Sequence, residues 1–154
     1  MKLKKTRAYV TNTNPRKEGS GDEMALASDI SLQMVVDRKV LDDLVGSRSS
    51  FSEQFFNKDK TDCRLLEVTP IRYEREIEDI AAHLHIGNAK PMKFEPARIK
   101  PGSTWDPQPG GYMEVSLKLQ VHPTATQSGK LDESVKEWIE VEIMPMTEDG
   151  IGKD

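Results

Sequence analysis

The sequence predicts one α+β domain in which about six or seven strands form a mostly antiparallel sheet and two or three short helices cover it. Two segments, residues 111–123 and 24–36, alternate apolar and polar side chains as half-buried strands do. The length of 154 residues suits a single domain, and neither an internal repeat nor a linker divides residues 1–154. The apolar residues suffice for one buried sheet face, so a partly closed barrel is an alternative arrangement of the same strands.

Residues 111–123 contain the clearest strand of the chain. Five apolar side chains occupy its odd-numbered positions: Met113, Val115, Leu117, Leu119 and Val121. A shift by one residue would expose all five, so the register of this strand is strongly specified. Two glycines allow the chain to turn into the strand, and Pro123 ends it because proline has no N–H to donate. We expect the other elements to pair with this strand or to cover its apolar face.

The first part of the chain alternates between strands and polar breaks. Residues 3–11 can form a strand, and residues 12–22 are predicted to be a mobile loop because they contain Asn-Pro and Gly-Ser-Gly but no apolar side chain. The strand at 24–36 is followed by a predicted helix at 37–46, for which an aspartate is a suitable N-cap. A serine and a glutamate at capping-box spacing predict a second short helix over 50–56, whose three phenylalanines are expected in the core.

The middle of the chain permits two interpretations. Residues 63–68 form a short predicted strand. Residues 71–86 fit two strands with a tight connection at Glu78 and Asp79, while a helix over 74–83 is the alternative because apolar side chains also recur there at helical spacing.

The next predicted strand leads into a long loop. It spans residues 92–99, and Pro96 within it indicates an edge strand or a bulge. Residues 100–110 hold three prolines and two glycines around Trp105. This composition predicts a long hairpin loop rather than a core element.

The last part of the chain predicts one helix and one strand. After a loop at 124–130, Leu131, Val135 and Trp138 recur at helical spacing. The alternating apolar residues of 139–143 predict a final strand that Pro145 ends, and residues 147–154 are expected to be a polar, acidic tail.

Composition and cysteine content indicate the compartment. Hydrophobic residues make up 36% and charged residues 31% of the chain, and the mean hydropathy is -0.62. The single Cys63 cannot form an internal disulfide, which favours a reducing compartment. No apolar run approaches the roughly twenty residues that span a bilayer, and the N-terminus lacks the apolar segment of a signal peptide. We therefore expect a cytoplasmic protein, in a bacterial or a host cell.

The net charge of -4 is unevenly distributed along the chain. Residues 1–17 carry six basic side chains and no acid, whereas residues 132–154 carry eight acids against two lysines. Such asymmetry suggests that the basic end meets an anion or that the two ends meet each other. Two solvated termini of opposite sign explain the same distribution.

The chain contains no recognisable catalytic motif. A phosphate-binding glycine loop, a nucleophile elbow, a paired-cysteine zinc signature and a helical HExxH are all absent from the sequence. Alternation places His83 and His85 on one sheet face, and His122 lies on the polar face of its own strand, so a three-histidine metal site is conceivable. A solvated face explains these histidines better. We therefore predict a protein that is not an enzyme and has neither a cofactor nor a metal.

Two segments give the chain a family resemblance. The opening KLKKTRAYVTNTNPRKE and the strand GGYMEVSLKLQVHP, which a helix and an acidic strand follow, resemble segments of small accessory proteins of tailed bacteriophages and prophages. The resemblance covers the two ends of the chain and not its middle. It implies a small accessory protein that acts in phage DNA metabolism or against host defences, and it implies no catalytic residue.

The first functional hypothesis is binding of nucleic acid, most simply single-stranded DNA. Lysine and arginine can follow the phosphates, and an exposed tyrosine can stack on a base. Two basic-aromatic segments supply the candidate residues, which are Lys2, Lys4, Lys5, Arg7, Tyr9, Arg72, Tyr73 and Arg75. A solubilising terminus and an ordinary charged strand are the alternative explanation.

The second hypothesis is a protein-binding inhibitor or adaptor that captures a host protein. Its candidate residues are the acids of the C-terminal part, Glu137, Glu140, Glu142, Glu148 and Asp149, which can imitate a phosphate backbone. The opposite charges of the two ends also predict a homo-oligomer, in which the N-terminal strand of one subunit meets the C-terminal part of the next.

Overall fold

Six strands form a closed antiparallel barrel in the computed structural model, which describes residues 2–19, 25–37, 71–72, 76–108, 112–147 and 150–151. The prediction of a mostly antiparallel sheet is confirmed. The barrel is closed rather than partly closed, because the second strand pairs with the seventh as well as with the first. The described part of the chain contains one helix, fewer than the two or three predicted for the whole chain.

The strands are β1 (Leu3–Glu18), β2 (Ala25–Asp37), β3 (Ile71–Arg72), β4 (Ile77–His85), β5 (Met92–Ile99), β6 (Thr104–Gln108), β7 (Tyr112–Val121), β8 (Trp138–Thr147) and β9 (Gly150–Ile151). The helix α1 (Ala125–Glu133) lies between β7 and β8. Around the barrel the order is β1, β2, β7, β5, β4, β8 and back to β1. Beyond the end of β5, β6 takes over the same edge of β7, and β3 pairs with β6.

The apolar side chains of the alternating strands fill the barrel. All five odd-numbered apolar residues of β7 are buried, as are the even-numbered apolar residues of β2 between positions 30 and 36. The alternation predicted this arrangement because side chains at every second position share a face. Trp105 is also fully buried, directly opposite Val115 on β7. The prediction that Trp105 belongs to a loop is therefore wrong, and within the predicted loop at 100–110 residues 104–108 form β6.

The predicted mobile loop at 12–22 is wrong for residues 12–18, which continue β1. They pair with β2 from Asn12 opposite Ser31 to Glu18 opposite Ala25. Pairing of β1 with β8 ends near Tyr9, so from there β1 has only one paired edge. Pro15 is tolerated in this part because an edge strand can point its missing donor toward open space. Residues 12–18 therefore form a strand despite their polar side chains, because hydrogen bonds with β2 hold them in place.

The segment that permitted two interpretations, residues 71–86, contains β3 and β4, and its described residues form no helix. Residues 77–83 belong to β4, so the alternative helix over 74–83 is wrong there. The predicted tight connection at Glu78 and Asp79 is wrong, because both residues lie within β4, where they form a bulge opposite the single Arg98 of β5. A second bulge follows on β5, where Glu95 and Pro96 face the single Ala81 of β4. The bulge predicted at Pro96 is thus confirmed.

The helix lies earlier in the chain than predicted. The side chain of Thr124 accepts a hydrogen bond from the backbone N–H of Gln127, whose side chain in turn accepts one from the backbone of Thr124. This capping box starts α1 within the predicted loop. Trp138 begins β8, which continues through Pro145. The predicted tail at 147–154 begins with a short hairpin, in which β9 pairs with the end of β8.

Of the predicted helix at 37–46, only Asp37 is described, and it ends β2. The remaining residues of that helix lie outside the described residues, as do the predicted helix at 50–56, the predicted strand at 63–68 and Cys63. In the part of the chain that the structure describes, no helix is long and apolar enough to cross a membrane.

Candidate functional site

A continuous row of side chains crosses the outer face of the barrel. Trp138 of β8 lies opposite Tyr9 of β1, and Tyr9 lies opposite Gln33 of β2. The row continues through Ser116 of β7 to Thr104 of β6. Directly opposite residues of antiparallel strands share a face, so five strands contribute to one surface.

The neighbouring row on this face is partly acidic. Val35 of β2 lies opposite Glu114 of β7, which lies opposite Asp106 of β6. The two rows enclose a groove of about 510 Å³. We call it the aromatic groove, and its lining residues are Tyr9, Gln33, Met34, Val35, Thr104, Asp106, Glu114, Val115, Ser116 and Trp138.

The large hydrophobic side chains that are exposed concentrate on this face. Among the described residues they are Val35, Tyr112 and Trp138, which are 61%, 38% and 55% exposed. Val35 and Trp138 line the aromatic groove. Tyr112 is an outward residue of β7, two positions before Glu114. Clustering of exposed apolar side chains on one polar-rimmed face is typical of an interaction surface, whereas scattered ones are ordinary.

An aromatic pair with a cation forms one end of this face. The ring centroids of Tyr9 and Trp138 are 5.3 Å apart, with an angle of 59° between the ring planes. The guanidinium carbon of Arg7 lies 4.8 Å from the centroid of the Trp138 ring, within the range of a cation–π contact. Tyr9 is half-buried, whereas Arg7 is exposed. Trp138 thus contacts both Tyr9 and Arg7, and its ring remains accessible to solvent.

The groove itself is acidic. Asp106 and Glu114 face each other directly, an arrangement of like charges that destabilises a strand pair. Among the residues that the structure describes, no basic side chain lines the groove, and none forms an ion pair with either carboxylate. The negative charge thus remains available to a ligand.

The groove lies where two strands separate. The ladder between β1 and β2 begins at Tyr9 and Gln33 and runs to Glu18 and Ala25. Before Tyr9, β1 pairs with β8, and after Gln33, β2 pairs with β7. Residues on either side of this separation line the groove.

The residues predicted to bind nucleic acid are only partly brought together. Lys2 precedes β1 and is exposed, as are Lys4 and Lys5 on β1. Lys5 Nζ lies 3.8 Å from Glu140 Oε1, and Arg7 is the cross-strand partner of Glu140. The basic strand therefore lies beside an acidic one.

The second basic-aromatic segment is described in part. The backbone of Arg72 pairs with Thr104 at the far end of the row that contains Tyr9. Tyr73 and Arg75 lie outside the described residues.

The acids predicted to capture a partner are likewise divided. Glu137 is exposed in the turn before β8, while Glu140 and Glu142 are half-buried on the outer face of β8. Glu148 and Asp149 lie outside the described residues. The acids that line the groove are Asp106 and Glu114, and neither belongs to the predicted set.

The three histidines do not form one cluster. His83 Nε2 lies 3.1 Å from Glu95 Oε1, and His85 Nε2 lies 2.7 Å from Glu142 Oε1. His122 follows β7, and its Nδ1 lies 3.3 Å from the backbone oxygen of Leu26. Within the described ranges no group of three histidine, cysteine or acidic residues could hold a metal ion.

A polar cluster fixes the second half of β1. Arg16 Nη2 lies 2.7 Å from Glu18 Oε1, and Arg16 Nη1 lies 2.8 Å from Asp29 Oδ2. Gln120 Nε2 donates to the same Glu18 oxygen at 2.9 Å. The hydrogen bond with Asp29, followed by that with Glu18, raises the pKa of Arg16 above its ordinary value. Arg16 thus serves the fold, although the sequence placed it among unopposed cations.

Two groove residues could have been found from the sequence. Trp138 is out of phase with the apolar residues of 139–143, so a strand that began one residue earlier would place it outward. Val35 likewise occupies an odd position in a strand whose core residues are even-numbered. Asp106 gave no such signal, because its strand was interpreted as a loop.

Comparison of the chain with models of protein families, with curated proteins and with solved structures found no match.

Proposed function

We propose that this protein is a protein-binding module, an inhibitor or adaptor that captures a partner in the aromatic groove. The observation that carries the proposal is the concentration of Val35, Tyr112 and Trp138 on one outward face. Tryptophan and tyrosine are enriched among the residues that dominate binding energy at interfaces. A groove of about 510 Å³ beside them offers room for partner side chains.

The resemblance to phage accessory proteins suggests the origin of the partner. A phage protein of this kind acts in the cytoplasm of a bacterium, so we propose a bacterial host protein as the partner. In this proposal the acids that imitate the phosphates of DNA are those of the groove, Asp106 and Glu114, rather than Glu137, Glu140 and Glu142.

Site-specific photo-crosslinking in bacterial cells tests this function. A photoreactive amino acid at position 35 lies in the groove, while one at exposed Thr126 on α1 serves as the control. We expect a protein adduct from position 35 that survives nuclease, is absent from position 126 and disappears in Trp138→Ala. The same adduct from both positions, or one that persists without Trp138, contradicts the proposal.

Binding of single-stranded nucleic acid is the second candidate. The Arg7, Tyr9 and Trp138 arrangement favours it, because aromatic side chains stack on bases and nearby cations contact phosphates. The neighbouring carboxylates of Glu114 and Glu140 oppose it, since they repel phosphate.

Anisotropy titrations with labelled oligo-dT at several salt concentrations separate the candidates. Nucleic-acid binding predicts that Arg7→Ala weakens the complex and that the double variant Asp106→Asn/Glu114→Gln strengthens it, with a marked salt slope. Protein binding predicts instead that the same double variant weakens the complex with the protein partner. No oligo-dT binding at low salt excludes the second candidate.

A further inference from the structure

We propose that the groove takes an extended, basic segment of the partner, in which an arginine or lysine alternates with apolar residues. This inference rests on the proposed function and names the chemistry of the bound segment. It follows from the charges, the exposed side chains and the strand geometry of the groove.

Charge complementarity selects a basic segment. The carboxylates of Asp106 and Glu114 are cross-strand neighbours without a described ion-pair partner, and none of the described residues that line the groove is basic. A partner's guanidinium or ammonium group between them would relieve their mutual repulsion and gain two charge-assisted contacts. An acidic segment would meet repulsion in the same place.

The exposed side chains select apolar neighbours for that cation. Val35 lies directly opposite Glu114 and is 61% exposed, so an apolar residue that covers it also brings the chain to the acid. Trp138 and Tyr9 border the same groove from the β1 side. The two rings lie at the end of the groove away from the carboxylate pair, so they offer a separate contact for an apolar or arginine side chain of the same segment.

The strand geometry selects an extended conformation. Groove residues belong to β1, β2, β6, β7 and β8, so the groove runs across the strands over a width of roughly 19 Å at about 4.8 Å per strand step. A segment that crosses this width reaches from Trp138 to Asp106. Alternating apolar and basic side chains then meet the aromatic row and the acidic row in turn.

Fluorescence anisotropy with short labelled peptides tests the inference. The probe alternates valine and arginine, and two controls replace its arginines by glutamate or its valines by serine. We expect the probe to bind saturably and neither control peptide to do so. Asp106→Asn/Glu114→Gln should weaken it at least about tenfold, and Trp138→Ala by a similar factor.

A matched variant controls for net charge. Glu78→Gln/Glu133→Gln removes two charges from exposed positions that do not line the groove, and binding should stay within about twofold. Equal weakening by both double variants, or equal binding of the serine control peptide, would show only general electrostatic attraction and overturn the inference.

The peptide result and the crosslinking result fail separately. If position 35 crosslinks a partner but the arginine probe binds no better than its glutamate counterpart, the proposed function stands and the basic segment is wrong. If the probe binds in the groove but no partner is crosslinked in cells, the groove chemistry stands and the proposed function is wrong.

Discussion

Arg7 lies over the ring of Trp138, with its guanidinium carbon 4.8 Å from the ring centroid, although the two residues come from opposite ends of the chain. The contact joins β1 to β8 on the outer face, where Arg7 is also the cross-strand partner of Glu140. One side chain thus links the aromatic end of the groove to the acidic strand beside it.

Replacement of Arg7 tests the strength of this link. Arg7→Ala should lower the free energy of unfolding by about 0.5–1 kcal/mol, the range of an exposed cation–π contact. Arg7→Lys should lose less, because it keeps the charge. Urea denaturation measures both, with Lys4→Ala as the control on the same strand. Equal losses in Arg7→Ala and Lys4→Ala would contradict a specific contact with the ring.

The two tryptophans should respond differently to a quencher. Trp105 is fully buried, whereas Trp138 is 55% exposed. Acrylamide should therefore quench one fraction of the fluorescence efficiently, and Trp138→Phe should remove that fraction while leaving the protected emission of Trp105. Efficient quenching that persists in Trp138→Phe would place Trp105 near the surface and contradict its position in the core.

The central strand β7 should be highly sensitive to truncation on its inner face. Leu117→Ala removes a fully buried side chain and should lower the free energy of unfolding by about 2–5 kcal/mol. Lys118→Ala changes the adjacent outward residue and should have an effect within about 0.5 kcal/mol. Chemical denaturation of the two variants compares the faces directly, and similar losses would contradict the register.

Glu76 should contribute stability that depends on pH. A hydrogen bond from Lys100 Nζ at 2.6 Å, together with the charges of Lys100 and Arg98, lowers the pKa of Glu76 below its ordinary value. Its contribution is therefore fully present above the unfolded-state pKa and is lost as the pH falls through the lower folded-state pKa.

Denaturation of the wild type and Glu76→Gln across acidic pH measures this contribution. The difference should stay below about 1 kcal/mol near neutrality, because the ion pair is partly exposed, and it should vanish at low pH. Glu78→Gln, which removes an exposed carboxylate of β4, is the control. A difference that grows toward low pH would contradict the sign of the pKa change.

The predicted homo-oligomer should be tested with point substitutions rather than by removal of the N-terminus, which would disrupt the fold. The basic and acidic ends are already neighbours within one chain, as β1 and β8, and deletion of residues 1–17 would remove a barrel strand. Light scattering should compare the wild type with Lys2→Glu/Lys4→Glu, which keeps the strand. Oligomers that dissociate in the variant would support an N-terminal interface, and a monomer in both would exclude it.

Sequence patterns predicted the elements whose apolar residues alternate. The odd-numbered positions of β7 and the even-numbered positions of β2 fix which side chains enter the core, because period two determines the face. Residues 12–18 carry no such pattern. Their strand depends on pairing with β2 and on the ion pairs of Arg16, which are long-range properties that local composition does not encode.

The aromatic groove could be predicted only in fragments. The sequence indicates Tyr9 through its basic neighbours, whereas Trp138 continues the helical spacing of Leu131 and Val135 and is therefore predicted to lie in a helix. The capping box at Thr124 starts the helix early enough for it to finish at Glu133, before Trp138. Joining these residues to Val35 and Asp106 requires the order of strands around the barrel, which the sequence does not state.

The pairing of β1 with β8 also affects how the protein is made. On a ribosome, β1 is among the first described strands to emerge and β8 is among the last, so one edge of β1 stays without its partner through most of translation. An open strand edge is a template for pairing with other chains. The nascent chain thus exposes this edge until β8 appears, and the barrel closes only after that strand has been synthesised.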